Sequence, residues 1–335
     1  MMRAWKQCAK KRLATALLAV SMLCAFAPVQ AAEFTAVPQN IVKLQEPQKQ
    51  AYITEKVKQA FNVNPAIMMK PYEAPEGYTF EQFKVGNVTV DRFAAEKPET
   101  ERVLLQMHGG AYVLPMRNGH RFLGARQVML TNAKEAYYVD YRIAPDNVCP
   151  AALEDAVAVY KALLEKGIKP ENIMLVGDSA GGNLAVELAL YLRDRKIPQP
   201  AVIMLASPWG TLEHKKGTSR YFNETKDQVL GEGTPLNKQV KIASYAGKLK
   251  RKDPRLSPIY ADLKGLPPLL IQTGGNETLL TENIDLAKKA VQDGVEVTLT
   301  VYPGMPHDFA LMLPDMEQSV NSLYEMKDFV NRYMK

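Results

Sequence analysis

The sequence predicts an α/β protein built on a mostly parallel sheet. Apolar strand-like runs alternate with amphipathic helix-like segments, a pattern typical of buried parallel strands covered by helices on both faces. One strand–helix junction also carries the pentapeptide Gly-Asp-Ser-Ala-Gly at 177–181. The strand-like runs are 102–107, 136–141, 172–177, 201–206, 269–272 and 295–302. The helix-like segments are 119–133, 151–166, 182–193, 281–293 and 315–333.

Residues 1–31 have the pattern of a secretory signal peptide. A basic start precedes an apolar run over 13–27, and small residues end at Ala31. Because this run is shorter than the roughly 20 residues that span a bilayer, we expect cleavage. The mature protein would then be periplasmic or secreted, with no stable membrane anchor. An uncleaved anchor is the alternative.

Charge and cysteine content narrow the possible partners. Without residues 1–31 the chain keeps 37 Lys+Arg and 36 Asp+Glu, a net charge of +1. This balance gives no reason to expect nucleic acid or an anionic membrane as a partner. Cys149 is the one cysteine after residue 31, so we expect no internal disulfide and no cysteine-based metal site. We expect Cys149 to be a small buried residue rather than a reactive thiol.

The segment 211–254 interrupts the alternation of strands and helices. It is polar, rich in Lys and Gly, and has no evident core strand. Because α/β sheets bind ligands at the carboxyl ends of their strands, this segment is predicted to form a lid over that edge. A solvated insertion with helices of its own is the alternative, and the two are compatible.

The pentapeptide at 177–181 fits the G-x-S-x-G pattern in a strand–turn–helix setting. Such a turn lifts the serine hydroxyl clear of the backbone, and the following helix start points amides at developing negative charge. The sequence therefore predicts Ser179 as a nucleophile. Gly177, Gly181 and Gly182 disfavour the alternative of an ordinary N-cap serine.

A serine nucleophile needs a histidine base and a carboxylate that orients the base. Among the four histidines, His307 alone follows the last predicted strand, as the chain order Ser…acid…His requires. Glu277 is the first carboxylate in the loop after the preceding strand, and Glu282 is the second candidate. Asp308 adjoins His307, but adjacent side chains rarely orient one another's rings.

Oxyanion donors are expected in the loop after the first of these strand-like runs. Gly109, Gly110 and Ala111 can bring backbone N–H groups close to a substrate. The amide of Ala180, directly after the nucleophile, would add another donor. His-Gly-Gly at 108–110 is a weak signal alone. Because the serine turn follows it by 70 residues, the two motifs together strengthen the prediction of an oxyanion hole.

Several motifs in a fixed order carry a family resemblance. They are His-Gly-Gly at 108–110, Asp-Tyr-Arg-Ile-Ala-Pro at 140–145, Pro-Ala-Ala-Leu-Glu-Asp at 150–155, Gly-Asp-Ser-Ala-Gly-Gly at 177–182, Ser-Pro-Trp at 207–209, Asp-Pro-Arg-Leu-Ser-Pro at 253–258 and His-Asp-Phe at 307–309. Together they resemble the bacterial hormone-sensitive-lipase-like esterases of the α/β-hydrolase superfamily.

The resemblance implies an eight-stranded, mostly parallel α/β-hydrolase sheet with a helical cap. The cap would comprise an N-terminal segment, 32–75, and the insertion 211–254 of a catalytic domain spanning 76–335. Members usually hydrolyse short- to medium-chain acyl esters without a cofactor. Two departures from the family pattern are Ala111, where a third glycine is common, and Glu277, where aspartate is commoner.

The resemblance also suggests secondary roles. Tyr112, Asp178 and Trp209 are candidate pocket residues, although Trp209 fits plain core packing equally well. Tyr141 and Arg142 are expected to brace the oxyanion loop.

The predicted function is a serine carboxylic-ester hydrolase acting on a small-molecule ester, with no metal. A non-catalytic binder on the same fold is one alternative, since fold does not fix function. A deacetylase, lactonase, amidase, peptidase or acyltransferase is another, because the same residues permit these reactions.

Overall fold

The computed structural model describes residues 34–62 and 71–334. Its strands are β1 (Tyr78–Val85), β2 (Val88–Ala95), β3 (Val103–Met107), β4 (Glu135–Asp140), β5 (Ile173–Asp178), β6 (Val202–Ala206), β7 (Leu269–Gly274) and β8 (Val297–Tyr302). The longer helices are α1 (Gln48–Phe61), α2 (Asn118–Thr131), α3 (Ala151–Glu165), α4 (Ser179–Asp194), α7 (Leu280–Gln292) and α9 (Glu317–Tyr333). Short helices are α5 (Ser219–Phe222), α6 (Asn237–Ile242) and α8 (Phe309–Met312). The predicted signal peptide lies outside the described residues.

The strands form one eight-stranded sheet in the order β1-β2-β4-β3-β5-β6-β7-β8. Strand β2 pairs antiparallel with both β1 and β4, and the pairs from β4 to β8 are parallel. Strands β3, β5 and β7 are buried at every residue because helices cover both faces. The predicted fold class is confirmed.

Strand register brings the predicted site residues to one edge of the sheet. Met107 pairs with Gly177, so the loop after β3 lies beside the turn after β5. Gly274 pairs with Tyr302, so the loops after β7 and β8 are also neighbours. The carboxyl ends of parallel strands share one edge, where ligands bind in this class of sheet.

The N-terminal segment packs against the loop after β8. Helix α1 buries Ile53 and Val57. On the same helix the Lys49 ammonium donates to the Pro303 carbonyl at 2.7 Å, and the Gln50 amide donates to the Gly304 carbonyl at 2.9 Å. The chain before β1 therefore supports the loop that leads to His307.

The insertion 211–254 is packed against the domain instead of being solvated throughout. It contains the short helices α5 and α6. Its apolar residues Leu212, Val229, Leu230, Val240 and Tyr245 are buried. Several of its polar side chains are buried too, because they bind backbone groups of the loop after β7.

Candidate active site

Ser179 lies at a sharp turn between β5 and α4. Its φ is +51°, a left-handed conformation that is strained for a non-glycine residue. A Cβ on Gly181 would lie 2.1 Å from the Met107 carbonyl oxygen, and one on Gly177 would lie 2.3 Å from the Gly181 carbonyl oxygen. Only glycine fits these positions, so the local sequence enforces the turn that presents the serine.

His307 reaches the serine from the loop after β8. Its Nε2 atom is 2.9 Å from Ser179 Oγ, within hydrogen-bonding distance. The imidazole is buried, with 1 % of its surface exposed. The ring therefore contacts the hydroxyl away from bulk water.

Glu277 lies on the other side of the imidazole. Its Oε2 is 3.6 Å from His307 Nδ1, and within the described chain neither atom has a hydrogen-bond partner. Its Oε1 accepts hydrogen bonds from Thr273 Oγ1 and from Asn283 Nδ2. These two donors fix the carboxylate so that its second oxygen faces the ring. Such contacts are often long without substrate and tighten when it binds.

Glu282, the second candidate acid, is engaged elsewhere. It accepts from the Arg220 guanidinium at 2.8 Å, and both side chains are buried. Burial raises the pKa of Glu282 to about 7, although Arg220 opposes the shift. This carboxylate joins α7 to the insertion, and Glu277 is the one that faces the imidazole.

The Asp308 carboxylate contacts the His307 imidazole, which the sequence did not predict. Its Oδ2 lies 3.1 Å from His307 Nε2, the nitrogen that also faces Ser179. Asp308 has a φ of +49°, which Asp tolerates better than most residues. Burial lowers the pKa of His307, but the Asp308 and Glu277 carboxylates outweigh it and hold that pKa well above 6.5.

The remaining histidines do not contact the serine hydroxyl. Burial lowers the pKa of His108 to about 4 and that of His120 to about 3, so both rings are neutral near pH 7. The His108 ring stacks on Tyr141 at 4.2 Å between centroids. His214 is exposed in the insertion.

The predicted bracing of the oxyanion loop involves Tyr141 and not Arg142. The Tyr141 hydroxyl donates to the His108 carbonyl at 2.5 Å. Arg142 instead binds Asp155 and Glu154 on α3. Its side chain therefore supports the start of that helix.

The glycine loop after β3 lies directly beside the serine turn. The Gly109 N–H donates to Asp178 Oδ2 at 2.9 Å, so this predicted oxyanion donor is already engaged by the protein. The following residues Gly110, Ala111 and Tyr112 all have positive φ. Among the described residues, the N–H groups of Gly110 and Ala111 have no hydrogen-bond acceptor.

The three predicted pocket residues lie inside the protein. Tyr112, Asp178 and Trp209 are 1 %, 3 % and 1 % exposed. The Tyr112 ring stacks on Tyr245 at 4.0 Å, and its hydroxyl donates to Asn183. The Trp209 backbone N–H donates to the Ser179 carbonyl at 2.9 Å. These side chains pack the region behind the serine turn.

Nowhere in residues 34–62 and 71–334 do three or more His, Cys, Asp or Glu residues cluster as a metal site would require. Within the same ranges, no helix has the length and apolar character needed to cross a membrane.

Comparison with known proteins agrees with this architecture. A family profile described as the alpha/beta hydrolase fold matches residues 104–311. An esterase of Acinetobacter venetianus is 32 % identical over 269 residues, 79 % of this chain and 83 % of that protein. An acetyl-hydrolase of Streptomyces hygroscopicus is 37 % identical over 224 residues, 66 % of this chain and 73 % of that protein.

Among solved structures, an esterase of the bacterial hormone-sensitive lipase family superposes with a TM-score of 0.77 and 29 % identity. The alignment covers 87 % of this chain and 100 % of that one. The chain therefore belongs to the α/β-hydrolase family, as a carboxylesterase of the bacterial hormone-sensitive-lipase group.

Proposed function

We propose that the protein hydrolyses short- to medium-chain carboxylic esters through a triad of Ser179, His307 and Glu277. The observation that carries this proposal is the 2.9 Å contact between His307 Nε2 and Ser179 Oγ. The Glu277 oxygen facing the opposite ring nitrogen supports it.

The chemistry follows from these positions. As Ser179 Oγ attacks the ester carbonyl carbon, its proton passes to His307 Nε2. Glu277 holds the ring and stabilises the imidazolium. The tetrahedral intermediate collapses, and the leaving alkoxide takes the proton from Nε2. Water then repeats the cycle on the acyl-enzyme and releases the acid.

The free N–H groups of Gly110 and Ala111, with that of Ala180, are the proposed oxyanion donors. Backbone amides fixed in this way stabilise charge as it develops, without reorganisation. The Gly109 N–H holds the loop to Asp178 instead. Of the four predicted donors, Gly109 is therefore left out of the proposed oxyanion hole.

Aromatic packing behind the serine favours small acyl groups. Tyr112, Trp209 and Tyr245 are buried near the serine turn, where the Trp209 N–H donates to the Ser179 carbonyl and Tyr112 stacks on Tyr245. A relative named acetyl-hydrolase supports the same preference. We propose a periplasmic or extracellular location on the pattern of residues 1–31 alone.

The test is hydrolysis of p-nitrophenyl esters from acetate to dodecanoate by the chain starting at residue 32. Ser179→Ala and His307→Ala should abolish turnover without unfolding the protein. Ser244→Ala and His214→Ala are matched controls that should retain turnover. Full activity in Ser179→Ala would overturn the assignment.

A serine-directed phosphonate distinguishes the enzyme from a non-catalytic binder on the same fold. The phosphonate should add to the wild-type protein and not to Ser179→Ala. A folded wild-type protein that neither reacts with it nor turns over any ester would favour the binder.

A further inference from the structure

Three polar side chains of the insertion bind the loop that carries Glu277. They are Ser219, Asn223 and Asp227, spaced by four residues, and all three are buried. The backbone between them follows helical turns, because the N–H of each later residue donates to the carbonyl of the one four before it. The three side chains therefore share one face, turned toward the loop after β7.

The first two side chains fix the carbonyl groups of that loop. Ser219 Oγ donates to the Thr278 carbonyl at 2.8 Å. Asn223 Nδ2 donates to the Glu277 carbonyl at 3.0 Å and to the Gly275 carbonyl at 3.3 Å. The insertion therefore holds the backbone of the loop after β7, which we call the acid loop because it carries Glu277, in addition to the sheet.

Asp227 reaches both loops that carry the proposed acid and base. Its Oδ2 accepts from the Thr278 N–H at 2.8 Å. Its Oδ1 accepts from the His307 N–H at 3.3 Å and from the N–H groups of Val229 and Leu230 in its own turn. One carboxylate therefore joins the residue after Glu277 to the backbone of His307.

Burying this carboxylate is costly, and burial raises its pKa above the usual value of an aspartate. Backbone N–H groups alone satisfy it, and the two donors in its own turn would suffice to shape that turn. The two remaining donors are supplied by the loops after β7 and β8. These long-range bonds distinguish Asp227 from a residue that only closes a local turn.

We propose that Asp227 is a positioning residue that sets the distance between Glu277 and the His307 imidazole. The proposal rests on the proposed triad. By joining both loops to one buried carboxylate, the insertion takes part in orienting the imidazole.

The charge of Asp227 also acts on the imidazole. Four acidic side chains interact electrostatically with His307: Glu277, Asp308, Asp178 and Asp227. Removing one negative charge makes the imidazolium less stable and shifts the acidic limb of the rate profile to lower pH. A loss of correctly folded protein would leave that limb where it is.

The main variant is Asp227→Asn, with Glu232→Gln as an exposed acid-to-amide control in the same insertion. The amide keeps one acceptor oxygen but turns an NH₂ group toward either the Thr278 N–H or the His307 N–H. A displacement of this kind should lower kcat by about 100-fold with KM nearly unchanged. The acidic limb of kcat/KM should move to lower pH, and Glu232→Gln should match wild type.

A second variant keeps the test decisive if Asp227→Asn does not fold. Asp227→Ser preserves a side-chain acceptor for the local turn but is too short to reach the other loops. It should fold, lose kcat and show the same shift of the acidic limb.

Folded variants with wild-type kcat and an unmoved limb would overturn the proposal. A fall in rate matched by an equal fall in phosphonate-reactive protein, with the limb unmoved, would also overturn it and indicate a purely structural residue. An inactive wild type, or an active Ser179→Ala, would overturn the proposed triad and this inference with it. Active wild-type protein with unaffected Asp227 variants would overturn this inference alone.

Discussion

The carboxylate of Asp308 lies 3.1 Å from His307 Nε2, on the side of the ring that faces the Ser179 hydroxyl. A second carboxylate, that of Glu277, faces the opposite nitrogen. The imidazole is therefore buried between two acidic side chains, which explains why its pKa is raised despite burial.

This arrangement predicts that the acidic limb of the pH–rate profile lies at an unusually high pH. Because His307 must be neutral to accept the serine proton, kcat/KM should rise with pH through a limb above pH 6.5. Asp308→Asn removes the nearest negative charge and should move the limb to lower pH. The profile of kcat/KM for a p-nitrophenyl ester measures both, with the exposed Asp262→Asn as control. A limb that Asp308→Asn leaves unmoved would contradict the interpretation.

Replacing Glu277 should lower the catalytic rate, whereas replacing Glu282 should lower the stability of the fold. Glu277→Gln removes the carboxylate that orients the imidazole and should lower kcat on the order of 10³- to 10⁴-fold. Glu282→Gln leaves the Arg220 guanidinium buried without its partner and should destabilise the fold by about 3–5 kcal/mol. Steady-state kinetics and urea unfolding of both variants separate the two roles. Equal kinetic losses would argue against Glu277 as the acid.

The glycine loop after β3, which carries the proposed oxyanion donors, should not tolerate a side chain at Gly109. A Cβ there would lie 2.2 Å from Asp178 Oδ2 and 3.1 Å from Ser179 Cβ. Gly109→Ala should therefore displace the neighbouring N–H donors and lower kcat on the order of 100-fold. At Gly119 the nearest atom to a new Cβ is Leu311 Cδ1 at 3.4 Å, so Gly119→Ala serves as the tolerated control. Wild-type kcat in Gly109→Ala would show that this loop is not catalytic.

Cys149 is only partly buried, less than the sequence predicted, but it should still be a poorly reactive thiol. Burial raises its pKa to about 11, so at pH 8 only about one molecule in a thousand carries the thiolate. Iodoacetamide should modify the folded protein slowly, as mass spectrometry would show. The guanidinium-unfolded protein should react fast, and equally fast labelling of both would refute the prediction.

The residues of the proposed triad were predictable because local rules govern their positions. The glycines at 177 and 181 specify a turn that no other residue fits, and chain order placed His307 and Glu277 in the loops after the last two strands. Asp308 was set aside because adjacent side chains usually diverge. Its left-handed backbone turns the carboxylate toward its neighbour's ring, and sequence alone does not report φ.

The polar residues of 211–254 were harder to interpret. Composition indicated a solvated or lid-like segment, whereas Ser219, Asn223 and Asp227 are buried against the acid loop. Their spacing by four was the available signal. What this spacing means depends on which backbone groups lie opposite the side chains, and those groups come from the loops after β7 and β8, far away in the chain.

By itself, then, the sequence determined the alternation that builds the sheet, the serine turn and the order of the proposed triad, because these depend on local conformation and on buried apolar periodicity. Tertiary structure alone decided which acid faces His307, which amides remain free beside Ser179 and how Asp227 joins the loops. Each of these depends on distances of a few ångströms between segments brought together only by packing.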